Sequence, residues 1–165
     1  MKGNELLQAG ELASTSVQST AVRRPRILVV DDDRDLRKLY AEVLTRSGYG
    51  VDAVGDGAAG WKALKTSGYS LLITEHAIPV LTGLELVKMV RAARMALPVV
   101  MAAERLPAHE LARNPSLQLA ALLPKPFYLS ELLETVRTVL RTTDSPVETI
   151  IPQPNWRIPN RQQLV

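Results

Sequence analysis

The chain has 165 residues, 46% of them hydrophobic and 22% charged, enough apolar material for one core of ordinary size and too little charge for a disordered chain. Twenty Lys and Arg against 17 Asp and Glu leave a net charge of +3, too small an excess to point to nucleic acid as a partner. No cysteine and only two histidines, His76 and His109, exclude a disulfide framework, a thiolate zinc site, a cysteine nucleophile and a multi-histidine metal cage.

The longest apolar runs are four to five residues, far short of the ~20 that a membrane-spanning helix needs. The start, MKGNELLQAGELA, lacks a basic patch followed by an apolar stretch, so no secretory signal is read there. A soluble, cytoplasmic protein with no membrane partner is the expectation. Residues 1–25, rich in Ser and Thr, read as a flexible tail with at most a short helix at 5–12. Residues 142–165 carry Pro146, Pro152, Pro154 and Pro159 and read as a second, proline-rich tail that cannot continue a helix. Trp156 and Ile158 are unexpectedly apolar for such a tail.

Between the tails, residues 26–141 alternate between two patterns. Residues 27–30 are a β-branched apolar run, as a strand buried on both faces should be. Leu36, Leu39, Tyr40, Val43 and Leu44 then recur at helical spacing, and Gly48 follows as a stop. A weak strand at 51–54 leads through Gly55-Asp56-Gly57 into a helix at 58–65 that carries Trp61. A strand at 71–73, a Pro79/Gly83 loop, a helix at 84–94 and a strand at 99–101 come next. A short helix at 107–113, a strand at 120–123 and a helix at 130–140 complete the series. Five such units imply a doubly wound α/β fold, a parallel sheet with helices on both faces.

In that architecture ligands bind beyond the carboxyl ends of the strands. The residues found there are Asp31, Asp32 and Asp33 after the first strand and Thr74, Glu75 and His76 after the third. The fourth strand is followed by Ala102, Ala103 and Glu104, the fifth by Pro124, Lys125 and Pro126. Crowded carboxylates repel, so a proton or a cation must sit among them, and hard oxygen ligands suit Mg²⁺. A lysine there can hold a phosphoryl oxygen or neutralise a carboxylate. The plainer reading, that the acids only favour the start of the following helix, accounts poorly for three in a row.

The blocks ILVVDDD, TEHAIPVLTG, PVVMAA and LPKPF, in this order and spacing, resemble the receiver domain of two-component response regulators. The resemblance covers about 70% of the chain and implies a flavodoxin-like sheet of strand order 2-1-3-4-5. It implies Asp31 and Asp32 as the metal-binding acidic pair, with the backbone carbonyl of Ala77 as a further ligand. It makes Lys125 the family's lysine, with a cis bond to Pro126, the kind of bond where cis is accessible. Histidine kinases, other regulators or effectors become the implied partners. The face of the fourth helix, fifth strand and fifth helix becomes the implied docking surface, also for a homodimer.

The departures fall where the family's activity resides. The phosphoacceptor aspartate position holds Glu75, the hydroxyl position after the fourth strand holds Ala103, and the aromatic switch position holds Leu122. A direct Glu75–Lys125 ion pair in the phosphoryl site is therefore expected, locking the domain instead of imitating a switchable phosphate. His76 is expected to face solvent, His109 and Trp61 to play no chemical part, and Glu104 to be a solvated loop charge. The reading is a stand-alone, degenerate receiver that is no enzyme and works by protein–protein contact. The competing enzyme reading takes Asp31 and Asp33 as the D-x-D of a haloacid-dehalogenase-like phosphatase. That family usually has Thr or Val where this chain has Asp35, and no late acidic cluster follows Lys125. No glycine-rich phosphate loop follows Val30, which disfavours a nucleotide-binding flavodoxin-like protein.

Overall fold

The computed structural model describes residues 24–105 and 108–144. The expected helix at 5–12, Pro107, Trp156 and Ile158 lie outside these residues. The elements alternate as β1 (Arg26–Val30), α1 (Arg34–Arg46), β2 (Gly50–Val54), α2 (Gly57–Thr66), β3 (Leu71–Glu75) and α3 (Gly83–Ala92). Then come β4 (Val99–Ala103), α4 (Ala108–Arg113), a 3-10 turn (Pro115–Leu117), β5 (Ala121–Pro124) and α5 (Leu129–Asp144). All strand pairs are parallel and the order is β2-β1-β3-β4-β5, the flavodoxin-like doubly wound fold expected from the pattern.

The pleat sends alternate residues of each strand to opposite faces, and two cores result. Ile27, Val29, Ile73 and Val100 meet Tyr40 and Leu44 of α1 and Leu132, Val136 and Val139 of α5. Leu28, Val30, Leu72 and Met101 meet Leu64 of α2 and Leu86, Val87 and Val90 of α3. Each fully buried aliphatic side chain contributes about 1.5–3 kcal/mol, which is why the central strands read as unbroken apolar runs.

Several ends differ from the sequence pattern. β3 runs on through Thr74 and Glu75, and β4 through Ala102 and Ala103, because backbone pairing such as Glu75 with Ala102 outlasts the apolar run. Leu39 falls on the inner stripe of α1 by spacing but is 40% exposed; Tyr40 and Leu44, four residues apart, form the buried line. α3 stops at Ala92, short of the expected Arg94, which adopts φ 55°. α5 extends to Asp144, into the stretch read as tail. Proline cannot stop it there, since the first one stands at Pro146, and Thr142 and Thr143 return their hydroxyls to the Thr138 and Val139 carbonyls.

The loops at the far end of α3 are tied by one side chain. Arg91 donates to the carbonyls of Leu97 (2.8 Å), Leu117 (2.8 Å) and Gln118 (3.0 Å), joining the start of β4 to the 3-10 turn. Its guanidinium has lost part of its water shell, and burial lowers its pKa from the ordinary arginine value.

Candidate functional site

The carboxyl ends of β1, β3, β4 and β5 bring the polar residues of four loops to one edge. Asp31 continues the line of β1, its amide donating to the Val54 carbonyl at 3.2 Å, and it is 2% exposed. Its Oδ1 accepts the Asp33 amide at 2.9 Å, and its Oδ2 accepts the Lys125 ammonium at 3.0 Å. Burial pushes its carboxyl above the usual aspartate value, with Lys125 pulling the other way.

The three successive acids divide their work. Asp33 turns outward and caps α1, its Oδ1 accepting the amides of Leu36 (3.0 Å) and Asp35 (2.9 Å). Those two donors hold its carboxyl below the usual range. The plain reading of helix capping is thus right for Asp33 and wrong for Asp31. Asp32 is exposed and lines the cavity mouth. Asp33 is held through Oδ1 to the end of α1, which does not favour the D-x-D phosphatase pairing, and that alternative is set aside.

Glu75 closes β3, and the expected contact is present: its Oε2 pairs with the Lys125 ammonium. Its Oε1 accepts the amides of His76 (2.7 Å) and Ala77 (3.2 Å). Lys125 is placed by its own amide, which donates to the Ala103 carbonyl at 2.9 Å, and it precedes a cis bond to Pro126. Burial lowers the Lys125 pKa, but Glu75 and Asp31 outweigh it and push the ammonium well above the ordinary lysine value. The side chains of Asp31, Glu75 and Lys125 are only 3, 8 and 13% exposed. One half-buried cation is shared by two buried carboxylates.

Ala103 is fully buried at the end of β4 and offers a methyl group at the position where the resemblance expects a hydroxyl. Leu122 is 37% exposed on β5 while Leu123 is buried, so position 122 presents an aliphatic side chain outward. A cavity of about 610 Å³ opens above the pair, lined among others by Asp32, His76, Glu104, Arg105 and Lys125. Glu104 does reach the site edge, as an exposed loop residue. His76 was expected to face solvent; it is half-buried instead, with Nδ1 enclosed and unpartnered, because its amide is drawn in by Glu75 and the Ala102 carbonyl. His109 is exposed on α4, and Trp61 packs beside the α2–α3 core under Lys65.

Sequence reasoning missed Arg105, which no motif marked, and the stack of Phe127 on Tyr40, with centroids 5.6 Å apart. The aromatic pair fastens the loop after Lys125 to α1; the Phe of LPKPF and the periodic Tyr40 were visible separately, their meeting was not. Arg37 was missed too. It donates to the carbonyls of Asp31 (2.6 Å) and Asp32 (3.3 Å) and so steadies the acidic loop from α1.

The loop after Glu75 holds a strained turn. Val80 sits at φ 69° with the Leu81 amide donating to the Pro79 carbonyl at 2.8 Å, a γ-turn of the rare positive-φ kind. A β-branched residue there is an outlier, and Val80 is 83% exposed, so it gains no packing in return. Val80→Gly should therefore stabilise the domain by about 1 kcal/mol, the relief of strain less the added chain entropy of glycine. A rise of several degrees in Tm would show it; an unchanged or lower Tm would contradict it.

A Mg²⁺ ion takes near-octahedral oxygen ligands, several of them water, and needs one or two carboxylates from the protein, but the two buried ones are already occupied. All four carboxylate oxygens of Asp31 and Glu75 are engaged by Lys125 or by backbone amides. Among the described residues no three acidic or histidine side chains converge on a common point. Asp31, Asp32 and Ala77, the residues expected around a metal, line the same cavity, and Glu75 carries its carboxylate there to the lysine. Among the described residues no helix is long and apolar enough to cross a membrane.

Residues 27–137 match the family model of the response regulator receiver domain. The chain belongs to that family. It is 34% identical over 118 residues to the response regulator MprA of Mycobacterium avium, covering 72% of this chain and 52% of that protein. It is 30% identical over 125 residues to the transcriptional regulatory protein TctD of Salmonella typhimurium, covering 76% and 56%. The chain thus spans about half the length of these curated relatives. Among solved structures it is similar to the non-phosphorylated HemR receiver domain of Leptospira biflexa (TM-score 0.66, 27% identity, 71% of this chain and 94% of that one). It is likewise similar to the chemotaxis response regulator CheY4 of Vibrio cholerae (TM-score 0.64, 26% identity, 70% and 98%).

Proposed function

We propose that this receiver serves two-component signalling as a protein-interaction module whose pocket is held in one state, with no toggling by aspartyl phosphorylation. The observation that carries the reading is the double pairing of Lys125 with Glu75 and Asp31. The amine that would receive a phosphoryl oxygen already holds two carboxylates. Glutamate is as good a nucleophile as aspartate but carries its oxygens about 1.5 Å further out, and a misplacement of about 1 Å can cost on the order of 10²-fold in rate.

A fixed carboxylate is also a poor imitation of a phosphate, with one charge against nearly two and fewer acceptor oxygens. A group shifts a conformational equilibrium only through contacts that differ between the states. Ala103 has no hydroxyl to make such a contact, and Leu122 has no ring to reorient. Partners by this reading are a histidine kinase, another regulator or an effector protein, met on the α4–β5–α5 face, where a second copy could also dock. The reading concerns the receiver itself, whatever it is joined to.

Acetyl phosphate or beryllofluoride with Mg²⁺ should leave the spectrum and oligomeric state of the protein unchanged. Glu75→Asp should take up phosphate yet rearrange little, and adding Ala103→Thr should restore a response. Stoichiometric phosphate on Glu75 together with a structural change would overturn the reading. A full response of the single Glu75→Asp variant would show that position 103 matters less than argued.

A further inference from the structure

We infer that Lys125 occupies the role of the divalent cation in this pocket, so that the site is charge-satisfied by its own side chain and excludes Mg²⁺. The inference rests on the reading of Glu75 above and extends it from the phosphoryl group to the metal. Its basis is the allocation of oxygens. Asp31 gives Oδ1 to the Asp33 amide and Oδ2 to Lys125, and Glu75 gives Oε1 to the amides of His76 and Ala77 and Oε2 to Lys125. A metal entering between the two carboxylates must displace the ammonium or sit beside it.

Neither route is open at low cost. The ammonium gives up two carboxylate partners if it swings into the cavity, and its backbone is fixed to the Ala103 carbonyl. If it stays, a divalent ion within a few ångströms meets like charge beside two nearly buried carboxylates, where such repulsion is less screened than on an open surface. The ligands still free, Asp32 and Glu104, are exposed loop carboxylates, and two solvated carboxylates hold Mg²⁺ weakly because it gives up its water reluctantly. The decisive feature is the extra methylene of Glu75. A shorter side chain at the same backbone position would fall back from the lysine and leave an oxygen for a metal.

The test uses the full chain without any phosphodonor. Mn²⁺, a paramagnetic stand-in for Mg²⁺, is titrated while the amide signals of Asp33, His76, Ala77 and Lys125 are followed by NMR, with Mg²⁺ as competitor. The wild-type signals should keep their intensity through millimolar metal. Glu75→Asp should bind at least about ten-fold more tightly, a difference equal to ~1.4 kcal/mol. Lys125→Met, if it folds, should gain more Tm from Mg²⁺ than the wild type does, since the metal then supplies the missing charge.

Saturable, Mg²⁺-competed broadening at these amides in the wild type would overturn the inference. So would a Glu75→Asp variant that binds no more tightly than the parent. Either result leaves the phosphate-independent reading standing, because that reading falls only to phosphorylation of Glu75 with rearrangement. Conversely, a phosphorylated and rearranged protein without local metal uptake would end that reading and leave metal exclusion in place.

Discussion

Replacing Lys125 with methionine should destabilise the domain by about 3–5 kcal/mol, the range found when one partner of a buried ion pair is removed. Methionine has nearly the same shape, so little packing is lost; what remains is two carboxylates, 3 and 8% exposed, facing each other without a cation. Urea unfolding at neutral pH measures the loss as a drop in midpoint at unchanged slope. The pH dependence separates charge from packing. Burial already holds the Asp31 carboxyl above its ordinary value, and without the lysine only the Asp33 amide still opposes that shift.

A carboxyl with a raised folded-state pKa binds its proton more tightly folded than unfolded, so acidification favours the folded state. The variant's deficit should therefore shrink as pH falls from 7 toward the unfolded-state aspartate value of about 4. In the wild type the lysine has the same sign, displaced to high pH. Its raised pKa makes the pair's contribution complete below about 10.4, the unfolded value, and lost only as pH rises beyond it. A deficit independent of pH would mean that Lys125 acts through its stem, and a deficit below about 1 kcal/mol would place the pair with ordinary surface bridges.

That this pair could be read in advance follows from a simple constraint. The ends of parallel strands must lie at one edge of the sheet, and strand ends are where apolar runs stop. Lys125 and Glu75 fall at two such stops, and the reach of glutamate does the rest. Asp31 was harder, because the sequence presents three equal acids. The backbone path decides among them: Asp31 still extends β1, while Asp33 has already turned to cap α1.

The hidden features are those made by backbone geometry or by meetings across long separations. Nothing in PVLTG announces that Val80 adopts φ 69°, and nothing in Arg91 announces bonds to carbonyls up to 27 residues away. Strand ends were underestimated for a related reason. Thr74 and Glu75 look polar, yet the edge-to-edge pairing of β3 with β4 carries them inside, 0 and 7% exposed.

Gly83 provides the second large effect, and the two ways of reading a glycine predict opposite signs. It is the first residue of α3, and by helix propensity alone alanine should stabilise by up to about 1 kcal/mol. Geometry opposes this. A Cβ at Gly83 would lie 2.0 Å from the Glu75 carbonyl oxygen and 3.1 Å from the Thr74 hydroxyl. The obstacle is backbone at the end of a fully paired strand, and the Gly83 amide is itself bonded to the His76 carbonyl at 3.0 Å. Neither side can yield by a rotamer change, so α3 or the site loop must move. Overpacking of this kind costs on the order of 3 kcal/mol, which outweighs propensity and leaves Gly83→Ala destabilised by about 2 kcal/mol or more.

Because the displaced atoms belong to Glu75, the damage should reach the pocket as well as the fold. The amides of His76 and Ala77, which donate to Glu75 Oε1, should shift more in NMR spectra than amides of β2. Gly68→Ala is the control, since nothing lies within 4 Å of a Cβ there, and it should change stability by less than about 0.5 kcal/mol. Equal effects from the two alanines would mean that backbone entropy, and not the close approach of α3 to β3, fixes glycine at position 83. A loss confined to Gly83→Ala and accompanied by shifts at His76 and Ala77 would show that the helix start is packed directly against the residue that holds the lysine.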